Sequence, residues 1–104
     1  MSNIPIKKRW SKYTKINVHR VSNVYGMYEL ADSRGNIIYI GEGKLQDRLM
    51  AHFANGSDPV PGASLFRYAS TGSKKKAVQK QNSSLSKISR STGNLPRFNQ
   101  KRRG

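Results

Sequence analysis

The stretch VYGMYELADSRGNIIYIGEG, residues 24–43, contains two short apolar segments separated by residues that favour a turn. In the first segment, residues 24–31, alternate side chains fall on one face, which is typical of a β-strand. The segment DSRGN, residues 32–36, supplies turn residues, and residues 37–41 can form the partner strand. The sequence therefore predicts a β-hairpin.

Each predicted strand places a tyrosine beside a glycine. The two groups are Gly26-Met27-Tyr28 and Tyr39-Ile40-Gly41, with ten residues between the two tyrosines. Tyrosine is common in strands and packs well in a core. Glycine weakens a strand but lets another group approach its backbone closely. The two phenols are therefore either ordinary core aromatics or two groups directed at one point.

The next segment, residues 45–54, is predicted to be a helix. Leu45, Leu49 and Phe53 recur at four-residue spacing and would form its buried row. The following residues, NGSDPVPG at 55–62, are typical of a loop.

A third strand and a second helix follow. Residues 64–69 are short and β-like, and Ser73 can cap a helix that runs to about Arg90 and ends at Gly93. The element order β-β-α-β-α predicts an α/β (α+β) fold in which helices flank a small, three-stranded, mostly antiparallel sheet. We expect residues 21–99 to form the domain, between a basic N-terminal arm at 1–20 that orders on a partner and a basic C-terminal tail at 100–104.

Charge is the strongest compositional signal. The chain has 104 residues and a net charge of +15, and all five acidic residues lie within residues 21–58. Basic segments on both sides of a near-neutral centre suit a polyanion, because each neutralised phosphate releases a counterion. DNA is the expected partner, with double- or single-stranded substrates both open; ribosomal RNA and an anionic membrane are the alternatives. The bases expected to contact nucleic acid are Lys7, Lys8, Arg9, Lys44, Lys74, Lys75, Lys76, Arg97, Lys101, Arg102 and Arg103.

The remaining composition limits the class of protein further. The sequence contains no cysteine, so it can form neither a disulfide nor a thiolate metal site. Its longest apolar run, residues 37–40, is far too short for a membrane span. We expect a soluble, untargeted protein without a membrane partner, located in the cytoplasm or associated with the nucleoid.

The first predicted helix carries two polar side chains that can act together. Arg48 and His52 are four residues apart and so lie on one face of the helix. A guanidinium and an imidazole do not pair with each other, but together they suit a phosphate. The alternative is two independent polar residues on the surface of an amphipathic helix.

Taken together, these residues resemble the GIY-YIG nuclease family over about residues 24–99, with Met27 in place of the isoleucine. The resemblance implies a DNA endonuclease that hydrolyses phosphodiesters with a divalent metal, Mg²⁺ or Mn²⁺. It also implies that Tyr28 is the general base for the attacking water, with Tyr39 beside it, and that Arg48 neutralises the scissile phosphate. His52 would position phosphate or relay a proton. The implied catalytic residues and motif glycines are Tyr28, Tyr39, Arg48, His52, Asn99, Gly26 and Gly41.

The metal ligand is where the chain departs from the family. The family holds its metal through one glutamate on a later helix, and this chain has no acidic residue after Asp58. Helical periodicity places Gln81 within the apolar arc of the second helix, where a bare amide is costly. We interpret Gln81 as the metal-ligand position with glutamine in place of glutamate; the alternative is a buried amide with satisfied hydrogen bonds. Of the other acids, Glu42 is expected to pair with a nearby base and Asp47 to face solvent.

Three functions are considered for these residues, and the third, a small basic ribosome-associated protein, would explain the charge but not the tyrosines. The first is a GIY-YIG-type endonuclease that is inactivated by the missing glutamate. The second is a non-catalytic nucleic-acid-binding module. The intact set of other site residues favours the first.

Overall fold

A computed structural model describes residues 9–102, and the predicted hairpin lies at its centre. Strand β2 (Tyr25–Ala31) pairs antiparallel with β3 (Ile37–Lys44), which places Tyr28 opposite Gly41. The Asp32 carboxylate holds the turn between them, accepting the Arg34 N–H at 2.9 Å and the Asn36 N–H at 3.0 Å. Strand β3 extends beyond the predicted residue 41 and leads directly into the next helix.

The sheet has four strands rather than three. Strand β4 (Leu65–Ser70) pairs with β2, and a short strand β1 (Ser11–Lys12) pairs with β4, which gives the antiparallel order β1-β4-β2-β3. The predicted α+β class is confirmed, and the predicted number of strands is wrong. Strand β1 consists of two exposed polar residues, so it carries no alternating apolar pattern by which it could have been recognised.

The helices are α1 (Lys15–His19), α2 (Leu45–Ala51), α3 (Lys74–Thr92) and α4 (Arg97–Arg102). Helix α3 begins and ends where its capping residues predict. The Ser73 side chain accepts the Lys76 N–H, and Gly93 ends the helix with a left-handed φ of 83°. Helix α2 is shorter than predicted and has His52 as its C-cap. Within residues 9–102, no helix is long and apolar enough to cross a membrane.

Part of the segment predicted as an N-terminal arm packs on the domain. Tyr13 stacks on Phe53 with ring centroids 4.1 Å apart, and its hydroxyl donates to the Leu49 carbonyl at 2.5 Å. Val18 in α1 is fully buried. Residues 11–20 therefore belong to the folded domain. The predicted boundary at residue 99 falls inside α4, and residues 1–8 and 103–104 lie outside the described part of the chain.

Both faces of the sheet are covered, so the core has two layers. Tyr28, Leu30 and Tyr39 pack on one face with residues of α1, α2 and α4. Met27 and Ile40 point to the other face, where the apolar side of α3 covers them. This alternation directs both tyrosines to the same side, as the period of a strand requires.

One buried carboxylate lies in the sheet away from the tyrosines. Glu29 is 2% exposed, and the Arg67 Nε donates to its carboxylate at 2.6 Å. The Arg67 guanidinium also lies 4.0 Å from the centre of the Trp10 ring. Burial raises the pKa of Glu29 above its ordinary value, and Arg67 opposes that rise. Loss of Arg67 would therefore leave the Glu29 carboxylate buried without a paired charge.

Replacing Arg67 with methionine should lower the free energy of unfolding by about 3 kcal/mol at pH 7, because it leaves the Glu29 carboxylate buried and unpaired. The loss should shrink as the pH falls from 7 to 5. A carboxyl whose pKa is raised in the folded state binds more protons there than in the unfolded chain, so lowering the pH favours folding. Urea unfolding at both pH values measures this.

The matched control is Arg34→Met, which removes an exposed arginine from the hairpin turn and should change stability by less than about 0.5 kcal/mol. Equal losses for Arg67→Met at pH 7 and pH 5 would contradict the prediction.

Candidate functional site

The two motif glycines make room for neighbouring groups. A Cβ at Gly41 would collide with the phenol oxygen and ring of Tyr28, so the Tyr28 ring can lie across β3 only because residue 41 has no side chain. A Cβ at Gly26 would collide with the Ala69 carbonyl oxygen and lie 2.8 Å from Leu45 Cδ1. The pairing of tyrosine with glycine is therefore a packing requirement of this site.

Tyr28 is joined to His52 and Asp58 by a chain of hydrogen bonds. The Tyr28 hydroxyl oxygen lies 2.6 Å from His52 Nε2, and His52 Nδ1 lies 2.7 Å from the Asp58 carbonyl oxygen. A carbonyl oxygen only accepts, so Nδ1 carries a hydrogen. In the neutral ring Nε2 is then the acceptor, and the Tyr28 hydroxyl donates to it.

Three aromatic rings form one cluster on this face of the sheet. The Tyr39 ring lies 6.2 Å from that of Tyr28 and 5.1 Å from that of His52, measured between centroids. Tyr28 is fully buried, His52 is 1% exposed and Tyr39 is 8% exposed. The two tyrosines thus meet at one point, but Tyr28 and His52 lie behind Tyr39 with almost no access to solvent.

Arg48 is held at the edge of this cluster by Asp58. Arg48 Nη2 lies 2.9 Å from Asp58 Oδ2, and the same carboxylate oxygen is 3.8 Å from His52 Nδ1. The Arg48 side chain remains 36% exposed. Asp58 was missed as a site residue because it lies in the loop that follows α2, where no periodicity indicates direction. Its only signal was its place as the last acid of the chain, six residues after His52.

The surroundings of Tyr28 keep its phenol protonated. Burial raises the pKa of Tyr28 well above its ordinary value, and the neighbouring Tyr39 raises it further. The Arg48 guanidinium acts in the opposite direction without cancelling the rise. In this conformation Tyr28 is a hydrogen-bond donor to His52 and not a ready base.

Beside the ring cluster is an open pocket of about 480 Å³, which Tyr39, Arg48 and Gln81 share. Tyr28, His52 and Asn99 do not line it. The charged side chains around it comprise two acids and three bases, a balance that favours an anion. The full set of lining residues is Tyr25, Tyr39, Glu42, Gly43, Lys44, Asp47, Arg48, Lys74 and Gln81.

Two amide side chains bind the backbone of Ile40, between Tyr39 and Gly41 on the edge strand β3. Asn99 accepts the Ile40 N–H at 2.8 Å and donates to the Ile40 carbonyl at 2.9 Å. Gln81 Nε2 donates to the same carbonyl at 3.2 Å. Asn99 therefore hydrogen-bonds the open edge of β3, where residues 9–102 provide no neighbouring strand to pair with it.

The residues present do not fit the divalent metal that the family resemblance implies. Gln81 uses its N–H to bind the Ile40 carbonyl oxygen, a contact that a carboxylate could not make. Of the two acids that line the pocket, Glu42 lies 3.6 Å from the Lys74 ammonium and Asp47 is exposed. Across residues 9–102 there is no group of three or more His, Cys, Asp or Glu side chains that could hold a metal ion.

The predicted nucleic-acid-contacting bases are spread over several elements. Arg9, Lys44, Lys74, Lys75, Lys76 and Arg97 are exposed, and two of them, Lys44 and Lys74, line the pocket. Lys101 and Arg102 belong to α4. Lys7, Lys8 and Arg103 lie outside the described residues.

Comparison with known sequences places the chain in a family. Residues 4–87 match a family described as Domain of unknown function (DUF7508), and the chain belongs to that family. The match includes all four strands and the helix that carries Arg48, and it ends within α3. A search of curated proteins found no significant match.

Replacing Gly41 with alanine should lower the free energy of unfolding by about 1–3 kcal/mol, because the new methyl group overlaps the Tyr28 ring. In a Tyr28→Leu background, where the phenol is absent, the same change should cost clearly less. Urea unfolding of the four proteins in this double-mutant cycle measures the coupling. An equal cost in both backgrounds would show that the close approach of Tyr28 to residue 41 is not what requires a glycine.

Proposed function

We propose that this chain is a GIY-YIG-type endonuclease domain that binds the phosphate backbone of DNA in the pocket and cuts it poorly, because residue 81 is glutamine. The observation that carries the proposal is the pocket itself. Tyr39, Arg48 and Gln81, which lie far apart in the sequence, line one opening backed by the Tyr28–His52 hydrogen bond.

Phosphate binding is supported by the placement of Arg48. Its guanidinium has five N–H donors, and the contacts with Asp58 and with the Tyr28 hydroxyl leave others that can meet phosphate oxygens. The ion pair with Asp58 fixes the orientation of the guanidinium before any ligand arrives. The overall charge of +15 adds a long-range attraction for a polyanion.

Hydrolytic chemistry is supported by the hydrogen-bond chain behind the pocket. As water attacks phosphorus and the P–O bond to the leaving sugar oxygen breaks, the proton of the water can pass to the Tyr28 oxygen while the Tyr28 proton passes to His52 Nε2. The leaving oxygen takes a proton from solvent. The resulting imidazolium keeps its Nδ1–H on the Asp58 carbonyl, and the Asp58 carboxylate lies 3.8 Å from that nitrogen. This path requires a rearrangement that opens the Tyr28 oxygen to the pocket, because Tyr28 has no exposed surface.

The second candidate function is a module that binds nucleic acid without cutting it. The observation that favours it is the Gln81 amide, which donates to the Ile40 carbonyl and so has a role in the fold as it stands. The two functions share the binding surface and differ in cleavage, so one assay separates them.

The Gln81→Glu variant should nick supercoiled plasmid in the presence of Mg²⁺, whereas the unmodified chain should not do so measurably. Asn99 still donates to the Ile40 carbonyl in the variant, so the new carboxylate can turn into the pocket without leaving that oxygen unpaired. Adding Arg48→Ala should slow nicking by about a hundredfold or more, because the guanidinium no longer meets the developing charge. Gel analysis of nicked product against time measures both effects.

The matched control is Gln79→Glu, the same change on the exposed side of α3, which should stay inert. Cleavage by Gln79→Glu but not by Gln81→Glu would show that the metal-ligand position is residue 79 and that its assignment to residue 81 is wrong. Inactivity of both variants would identify the chain as a binding module.

DNA affinity should fall log-linearly with salt concentration, as counterion release requires. Arg48→Ala should weaken binding by about tenfold, because it removes a charged hydrogen-bond donor from the pocket. Lys15→Ala, which removes an exposed base of α1, should have a much smaller effect. Fluorescence anisotropy with a labelled duplex measures all three proteins, and equal affinities of the two variants would contradict phosphate binding in the pocket.

A further inference from the structure

An ion pair crosses the wall of the pocket between the sheet and α3. Glu42 follows Gly41 on β3, and Lys74 is the first residue of α3. The Lys74 ammonium lies 3.6 Å from Glu42 Oε1, and both side chains line the pocket with Arg48. A cation is thus already present beside one of the two acids that line the pocket.

The Glu42 carboxylate depends on that cation. Among residues 9–102, Glu42 Oε1 is a buried side-chain oxygen that makes no hydrogen bond. A buried carboxylate oxygen without a partner is costly, and a nearby positive charge is what reduces that cost. At 3.6 Å the ammonium supplies charge to this oxygen without forming a short hydrogen bond.

The local stability of α3 does not explain Lys74. A positive charge in the first turn of a helix opposes the helix dipole. The first turn of α3 contains three lysines and no acid. All three lysines are exposed, and Lys74 in addition lies 3.6 Å from the Glu42 carboxylate across the pocket. The placement of Lys74 is therefore better explained by the pocket than by the helix.

We infer that the Lys74 ammonium supplies the positive charge beside Glu42, so that a DNA phosphate is bound by Lys74 and Arg48 without a divalent metal ion. This inference rests on the proposed phosphate-binding function of the pocket and identifies how that phosphate is held. An ammonium has three N–H donors, so it can contact a phosphate oxygen while it stays near Glu42. In the unmodified chain a divalent cation at the same place would be repelled by Lys74 and Arg48; the added carboxylate of Gln81→Glu would offset part of that charge.

Removal of Lys74 should expose Glu42 to metal. The protein should bind a fluorescein-labelled DNA duplex equally well in EDTA and in Mg²⁺ at matched ionic strength. Lys74→Ala should weaken binding by about tenfold in EDTA, and Mg²⁺ should restore part of that loss through Glu42. Adding Glu42→Gln to Lys74→Ala should abolish the restoration.

Lys75→Ala is the matched control, since it removes the same charge one residue further along the same helix turn. It should weaken binding by only about twofold to threefold and show no restoration by Mg²⁺. A second measurement needs no DNA: MgCl₂ should raise the melting temperature of Lys74→Ala and leave that of the unmodified protein unchanged. Circular dichroism checks that each variant is folded.

The inference would be overturned by weaker DNA binding of the unmodified protein in EDTA than in Mg²⁺. Identical behaviour of Lys74→Ala and Lys75→Ala would overturn it as well. If Arg48→Ala weakens binding while the two lysine variants behave alike, only the role of Lys74 is wrong. If Arg48→Ala also leaves binding unchanged, the pocket does not bind phosphate and the proposed function fails with it.

Discussion

The close approach of the Tyr28 ring to Gly41 is the contact on which the site depends. Because residue 41 has no side chain, the phenol crosses β3 and reaches His52 Nε2. That contact sets the orientation of the imidazole, whose other nitrogen then binds the Asp58 carbonyl. Asp58 in turn brings its carboxylate to Arg48. The absence of a side chain at Gly41 thus influences, through Tyr28, His52 and Asp58, where the Arg48 guanidinium lies in the pocket.

The side chain at residue 81 has a structural role at the edge of the sheet. The backbone of Ile40 lies on the edge strand and needs partners, and the amides of Asn99 and Gln81 supply them from α4 and α3. An amide serves this contact because it can donate, whereas a carboxylate would serve a hard cation because it carries charge. Glutamine at this position therefore joins α3 to β3 through a contact that an ionised carboxylate could not make.

Sequence patterns predicted the parts of this structure that local chemistry determines. The hairpin, the caps of α3 and the shared face of Arg48 and His52 follow from turn residues, capping residues and helical period. The depth at which a side chain is buried cannot be predicted from sequence periodicity, because it depends on which other elements pack over that face. The burial of Tyr28 behind Tyr39 could thus not be predicted, and neither could Asp58, whose loop is placed by contacts with α2 rather than by its own sequence.

The acids of the chain are largely used inside the fold, which leaves its surface basic. Glu29, Glu42 and Asp58 pair with Arg67, Lys74 and Arg48 respectively, and Asp32 holds the hairpin turn. A net charge of +15 on 104 residues then repels itself across the surface and opposes compactness. A bound polyanion would relieve that repulsion in the folded chain. Binding and folding would consequently stabilise each other, most strongly at low salt, where the repulsion is least screened.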